Sequence, residues 1–170
     1  MPSPEINIQG VTISREVKIQ VHRFTDYFKG FEKLPCVQEI FGDKTEEALR
    51  NLKVEFNSRW GYMGVNDEDG HLLVSSRYLK QGEEISIYLD IVHELVHVKQ
   101  FHEGKKLFDD SFEYVDRPTE IEAYVHAVKE ARRLGLSEEK IFEYLKTEWI
   151  SDEEHQRLLQ GVGLSIAVKQ

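Results

Sequence analysis

Apolar residues lie nearly all round residues 85–101, a stretch without proline or glycine, and this pattern predicts a helix buried over most of its surface. Gly104 supplies its stop. A second helical pattern opens around Pro118 and runs to about Leu134, where Gly135 ends it. Ser137 starts a third helix reaching about Trp149, and Ser151 with Glu154 reads as a capping box for a last helix to Gln160. Upstream of the buried helix, residues 62–66 and 71–76 flank Asp67-Glu68-Asp69-Gly70 and read as a hairpin, to which residues 53–58 add a third antiparallel strand. Before that come an extended start over residues 6–13, a helix over 15–29 between Ser14 and Gly30, and a short helix over 45–52. The expected class is α+β: a small antiparallel sheet of about three strands packed on two central helices, with further helices at the C-terminal end. No repeat or low-complexity tract divides the chain, so one domain spanning residues 1–170 is expected.

Composition narrows the setting. Hydrophobic content of 40% with 31% charged residues describes a soluble globular protein, and no run approaches the roughly 20 apolar residues that span a membrane. The first seven residues carry neither the basic nor the apolar region of a signal peptide. Cys36 is the single cysteine, which excludes an internal disulfide and suits a reducing compartment, so a cytoplasmic location is expected. A formal net charge of −9 argues against nucleic acid as a partner, because phosphates repel an acidic surface.

The chemistry is concentrated in His93-Glu94-Leu95-Val96-His97. Residues four apart on a helix point the same way, about 6 Å apart along the axis, so the two imidazoles can hold one zinc ion. Glu94 follows the first histidine directly and can reach a water on the metal without binding the metal itself. Zinc moves the pKa of that water towards neutrality, and the carboxylate completes a nucleophile able to attack an amide carbonyl. This is the H-E-x-x-H arrangement of zinc peptidases. The plainer reading is a pair of core histidines satisfied by hydrogen bonds.

A third ligand must come from elsewhere. Where a metzincin site would carry glycine and histidine, this chain has Gln100 and Glu103, and His102 lies about half a turn from the metal face. The second helical pattern offers Glu120 and Glu122. Ala123 and Ala127 share a face with Glu120 and let its helix approach closely, whereas Glu122 points about 200° away and fits a capping box with Thr119. The geometry favours Glu120 as ligand and Glu122 as cap, with the reverse as the alternative.

Together, His93-Glu94-Leu95-Val96-His97 and Glu120-Ile121-Glu122-Ala123 resemble the motifs of gluzincin metallopeptidases with a second E-x-x-A motif. The small soluble members are the most similar, such as the minigluzincins and the peptidase domains of the phage-repressor-cleaving type. The resemblance covers about residues 62–134. It implies a zincin-like fold, one zinc ion per chain held by His93, His97 and Glu120, Glu94 as general base, and a peptide or protein as substrate. It also implies that the strand before the metal helix borders the cleft, which makes Leu73, Val74 and Ser75 the expected substrate shelf, against the plainer reading of an ordinary meander. One departure is Tyr124, where many relatives have Asp or Asn. Tyr124 is one turn after Glu120 and is assigned either to the developing oxyanion or to support of a ligand. Tyr114, Arg117, His126 and His155 are further candidates whose plainer role is packing or surface. Latency is a further expectation, with residues after about Ser151 occluding the site and His155 near the metal, against the simpler view that these helices complete the core. Three functional readings remain: a zinc metallopeptidase, a catalytically silent peptidase-like module that binds a protein, and a zinc hydrolase of non-peptide substrates. Cobalt or nickel could replace zinc in such a site.

Overall fold

The computed structural model describes residues 3–59 and 61–164. The fold is α+β, with two small sheets and a set of helices around one continuous hydrophobic core. Strands β1 (Glu5–Ile8) and β2 (Val11–Ser14) form an antiparallel hairpin, and the two-residue β4 (Phe28–Lys29) pairs with the other side of β2. Inward-facing Ile6, Val11, Ile13 and Phe28 close this sheet onto the core.

The helix expected over residues 15–29 does not form. Between β2 and β4 the chain instead makes β3 (Val21–Arg23) and a single turn, α1 (Phe24–Tyr27). The reason is at its start: the Arg15 guanidinium is buried and donates to the carbonyls of Leu79 (2.9 Å) and Gly82 (2.5 Å), which pins the segment to a distant part of the chain. Charge-assisted bonds to buried carbonyls outweigh a local helical preference. Two short helices follow, α2 (Pro35–Phe41), which the sequence pattern did not reveal, and α3 (Thr45–Asn51) at the expected place.

The second sheet differs in topology from the expected meander. Strands β5 (Lys53–Asn57), β6 (Met63–Val65) and β7 (Leu72–Ser75) join β3 in the order β3-β5-β7-β6. β6 and β7 form the expected antiparallel hairpin, with Gly70 in the turn at φ +80°. β5, however, pairs with β7 in parallel, because β6 folds outward to the sheet's edge and leaves β7 inside. Ser75 then caps α4 (Ser76–Gln81), and the chain enters the long helix α5 (Glu84–His102).

Helix α5 is the spine of the molecule, and twelve of its residues from Ile87 to Gln100 are buried, as its all-round apolar pattern predicts. Its most extensive partner is α6 (Pro118–Arg133), which starts with proline at its first turn and presents the fully buried Ala123, Ala127 and Ala131. Those small side chains allow the close approach that two polar motifs need if they are to meet. Ser137 caps α7 (Glu138–Leu145), which stops four residues short of Trp149; Lys146 Nζ donates to the Ile150 carbonyl at 2.7 Å and closes the following loop. The Ser151–Glu154 capping box is present and opens α8 (Asp152–Gly161). Among the described residues, no helix is long and apolar enough to cross a membrane.

Candidate metal centre

His93 and His97 project from one face of α5, and Glu120 meets them from the first turn of α6; all three are buried. Glu120 Oε1 lies 3.0 Å from His93 Nε2 and 3.1 Å from His97 Nε2, and the two Nε2 atoms are 3.2 Å apart. Three ligand atoms thus converge at nearly equal separations. Tetrahedral zinc with bonds of about 2.0–2.1 Å places its ligand atoms about 3.3 Å apart, close to this triangle. The donor set therefore fits one metal ion, and these three residues lie close enough to hold it. Two nitrogens and a carboxylate suit zinc, and they also suit neighbouring first-row metals.

Neighbouring residues fix these side chains in place. His97 Nδ1 is 2.7 Å from Gln100 Oε1, so its N–H is donated there and Nε2 is left facing the centre. The Gln100 amide in turn donates to the Thr119 carbonyl (3.0 Å) and to Glu122 Oε1 (2.9 Å), tying α5 to the start of α6. Gln100 escaped sequence reasoning, although a glutamine at a fully buried helical position is a signal in itself. Glu122 is not a cap: α6 begins at Arg117 with no capping side chain, and Thr119 Oγ1 turns instead towards the Leu107 carbonyl. With Arg117 as N-cap and Pro118 as the first helical residue, Thr119 and Glu122 lie inside the helix and not at the N-cap and third positions that a capping box uses.

Tyr124 packs its ring against His93 with centroids 4.2 Å apart, and its hydroxyl lies 2.7 Å from that of Tyr114. Tyr114 comes from a short turn, residues Tyr114–Asp116, that the sequence pattern left as loop. Burial raises the pKa of both phenols, so they remain protonated donors. Glu94 is buried beside the centre with its Oε2 lacking any hydrogen-bond partner among the described residues, and burial pushes its pKa up against the opposing pull of His97 and His93.

Electrostatics around the triad give a testable proton count. Burial disfavours charge on His97, yet bonding to Glu120 and the nearby Glu94 carboxylate outweigh it and raise the metal-free pKa to about 9. Burial likewise opposes the Glu120 charge, and hydrogen bonds from both imidazoles hold that carboxyl well below its usual range. At pH 7 the metal-free His97 is therefore an imidazolium, and a metal ion must displace its Nε2 proton. Metal binding at pH 7 is expected to release about one proton, and apparent affinity to weaken about tenfold per pH unit below 9. Calorimetry in buffers of different ionisation enthalpy measures the count; a value near zero would contradict the assignment.

The centre opens into a cleft of about 510 Å³. One wall is Tyr62 and β6, the floor is α5, and the far wall is α7 with the loop after it. Leu73, Val74 and Ser75 do not line it. They lie on β7, whose two edges are occupied by β5 and β6, so among the described residues the free edge expected there belongs to β6 instead. His155 is also remote: it sits in α8, bonded to the Phe142 carbonyl at 3.0 Å and packed on the Phe142 ring. Residues 151–164 contribute nothing to the cleft lining, contrary to an occluding role, and residues 165–170 of the proposed plug lie outside the described residues. Arg117 caps the Tyr114 ring at 6.0 Å, and His126 is half-buried elsewhere on α6. Comparison of the chain with protein-family models, curated proteins and solved structures finds no match.

Proposed function

We propose that this protein is a zinc-dependent peptidase of gluzincin type with a zincin-like fold, acting on extended peptide segments. The observation that carries this reading is the convergence of His93, His97 and Glu120 beside a buried Glu94, whose Oε2 has no hydrogen-bond partner among the described residues, in an open cleft. A zinc ion held there supplies a Lewis acid that makes water nucleophilic and polarises the scissile carbonyl. Glu94 takes the proton of the attacking water and passes it to the leaving amine nitrogen, a task favoured by the raised basicity that burial gives it. Of the two O–H groups of Tyr114 and Tyr124, one serves their mutual bond, and the other is free to donate to the oxyanion that develops on the carbonyl. Tyr124 also steadies the His93 ring.

The substrate backbone pairs with the outer edge of β6, at Met63, Gly64 and Val65, which takes over the shelf role expected of β7. That edge favours a peptide over a small-molecule substrate, and the retained Glu94 favours an enzyme over a silent binding module. The single Cys36 supports a cytoplasmic setting for this activity, and burial pushes its thiol pKa up to about 12. The test is incubation of the zinc-loaded protein with a library of unstructured peptides. Cleavage is expected, abolished by a chelator and restored by added zinc. Intact peptides in the presence of a full zinc complement would leave a metal-binding module in place of the enzyme.

A further inference from the structure

Asp90 stands one turn before His93 on the same face of α5, about 4.5 Å along the axis, and lines the cleft beside the metal centre. Both of its carboxylate oxygens are engaged: Tyr144 donates to Oδ1 at 2.6 Å and Tyr78 donates to Oδ2. Burial pushes the pKa of this carboxyl up, and the two donated O–H bonds oppose that rise by favouring its ionised form. Among the described residues no lysine or arginine forms an ion pair with it. An acidic group thus lines the recess, held by two hydroxyls and, among the described residues, without a lysine or arginine ion-pair partner.

The walls of the recess match a cationic side chain. Tyr62 packs against Tyr78 with centroids 4.8 Å apart, and Tyr62, Tyr78 and Tyr144 line the cleft together with Asp90. Such walls accept the methylene stem of a long basic residue, and their faces attract its charge. The rim is acidic as well: Glu83, Glu143 and Glu148 line the same cleft. Of the two lysines there, Lys146 is turned away to the Ile150 carbonyl and lies 4.0 Å from Asp152, which leaves Lys140 against three carboxylates.

We propose that the Asp90 recess is a specificity pocket that binds the lysine or arginine side chain of a substrate residue flanking the cleaved bond. The assignment rests on the peptidase reading, because it takes the scissile carbonyl to sit at the metal centre. A residue next to that carbonyl has its side chain within reach of one helical turn, and a charge-assisted bond to Asp90 fixes the substrate in register where the β6 edge alone cannot distinguish one peptide from another.

Binding of peptide hydroxamates to the zinc-loaded protein tests the pocket without relying on turnover. Two series are needed, with the varied side chain on either side of the chelating group, each comprising lysine, norleucine and glutamate forms. In one series the lysine compound is expected to bind about 10- to 100-fold tighter than the norleucine compound, with glutamate weakest. Asp90→Asn is expected to bring the lysine-to-norleucine ratio close to one. Equal binding of lysine and norleucine compounds to the native protein in both series would overturn the pocket while leaving the peptidase reading intact. A lysine preference that survives in Asp90→Asn would overturn the role of Asp90. Failure of every compound to bind a fully zinc-loaded chain would remove the peptidase reading, and the pocket with it. If Asp90→Asn does not fold, the native protein's own selectivity still decides.

Discussion

Glu120→Gln is expected to weaken zinc binding by more than about 100-fold, a larger loss than changes to outer-shell partners of a metal usually cause. The Glu120 carboxylate oxygen is shared between His93 Nε2 and His97 Nε2 at 3.0 and 3.1 Å, so it is the one group that both touches the other two donors and carries negative charge. Glutamine has nearly the same volume and leaves the packing of α6 on α5 in place. Its amide, however, is a neutral and weak ligand, and two neutral imidazoles alone complete neither the charge nor the coordination that zinc requires. Glu122→Gln is the control on the same helix turn. Glu122 accepts from Gln100 and lies 3.8 Å from Lys105, pointing away from the centre, so its variant is expected to keep about one zinc per chain. Elemental analysis after dialysis, with competition against a chromophoric chelator, reads both affinities. Native-like zinc binding by the Glu120 variant would exclude it as a ligand, and loss in the Glu122 variant would exchange the two roles.

The two glutamates show what kind of information the sequence carries. Helical periodicity places Glu120, and not Glu122, with the two histidines, although the capping role read for Glu122 fails; the 3.6-residue repeat and the flanking Ala123 and Ala127 are local properties that survive into the fold. The same is true of the all-round burial of α5, the Ser137 cap and the Ser151–Glu154 capping box, each legible from residues a few positions apart. What was not legible depends on partners distant in sequence. Arg15 gives up a local helix for carbonyls 64 and 67 residues away. The parallel register of β5 on β7 follows from β6 moving to the outside, which no alternation pattern encodes, and it alone transfers the free edge from Leu73–Ser75 to Met63–Val65. Tyr114 reaches Tyr124 from an irregular loop, and Gln100 acquires its role only once α6 is docked against it. The cluster of His93, His97 and Glu120 was readable because both motifs lie on helices; the cleft around it was not, because its walls are assembled by tertiary contacts.

Glu94→Gln separates catalysis from binding at the same centre. Glu94 is buried next to the two histidines, has an oxygen without a hydrogen-bond partner among the described residues, and is not one of the three residues whose ligating atoms converge. A buried carboxylate in that position costs stability unless something uses it. Removing its charge while keeping its shape should therefore leave the metal site intact, and relief of the desolvation that raises its pKa favours a folded variant at least as stable as the native chain. Peptide hydrolysis is expected to fall by about 10²- to 10⁴-fold or more, because the attacking water loses its proton acceptor and the leaving amine its donor. Zinc stoichiometry and hydroxamate affinity are the companion readouts. Retained metal with lost hydrolysis assigns the proton transfer to Glu94. Hydrolysis at the native rate would transfer it to another group in the cleft, and a substantially more stable variant that binds peptides but never cleaved them in its native form would turn the molecule into a binding module whose central carboxylate has no chemical task.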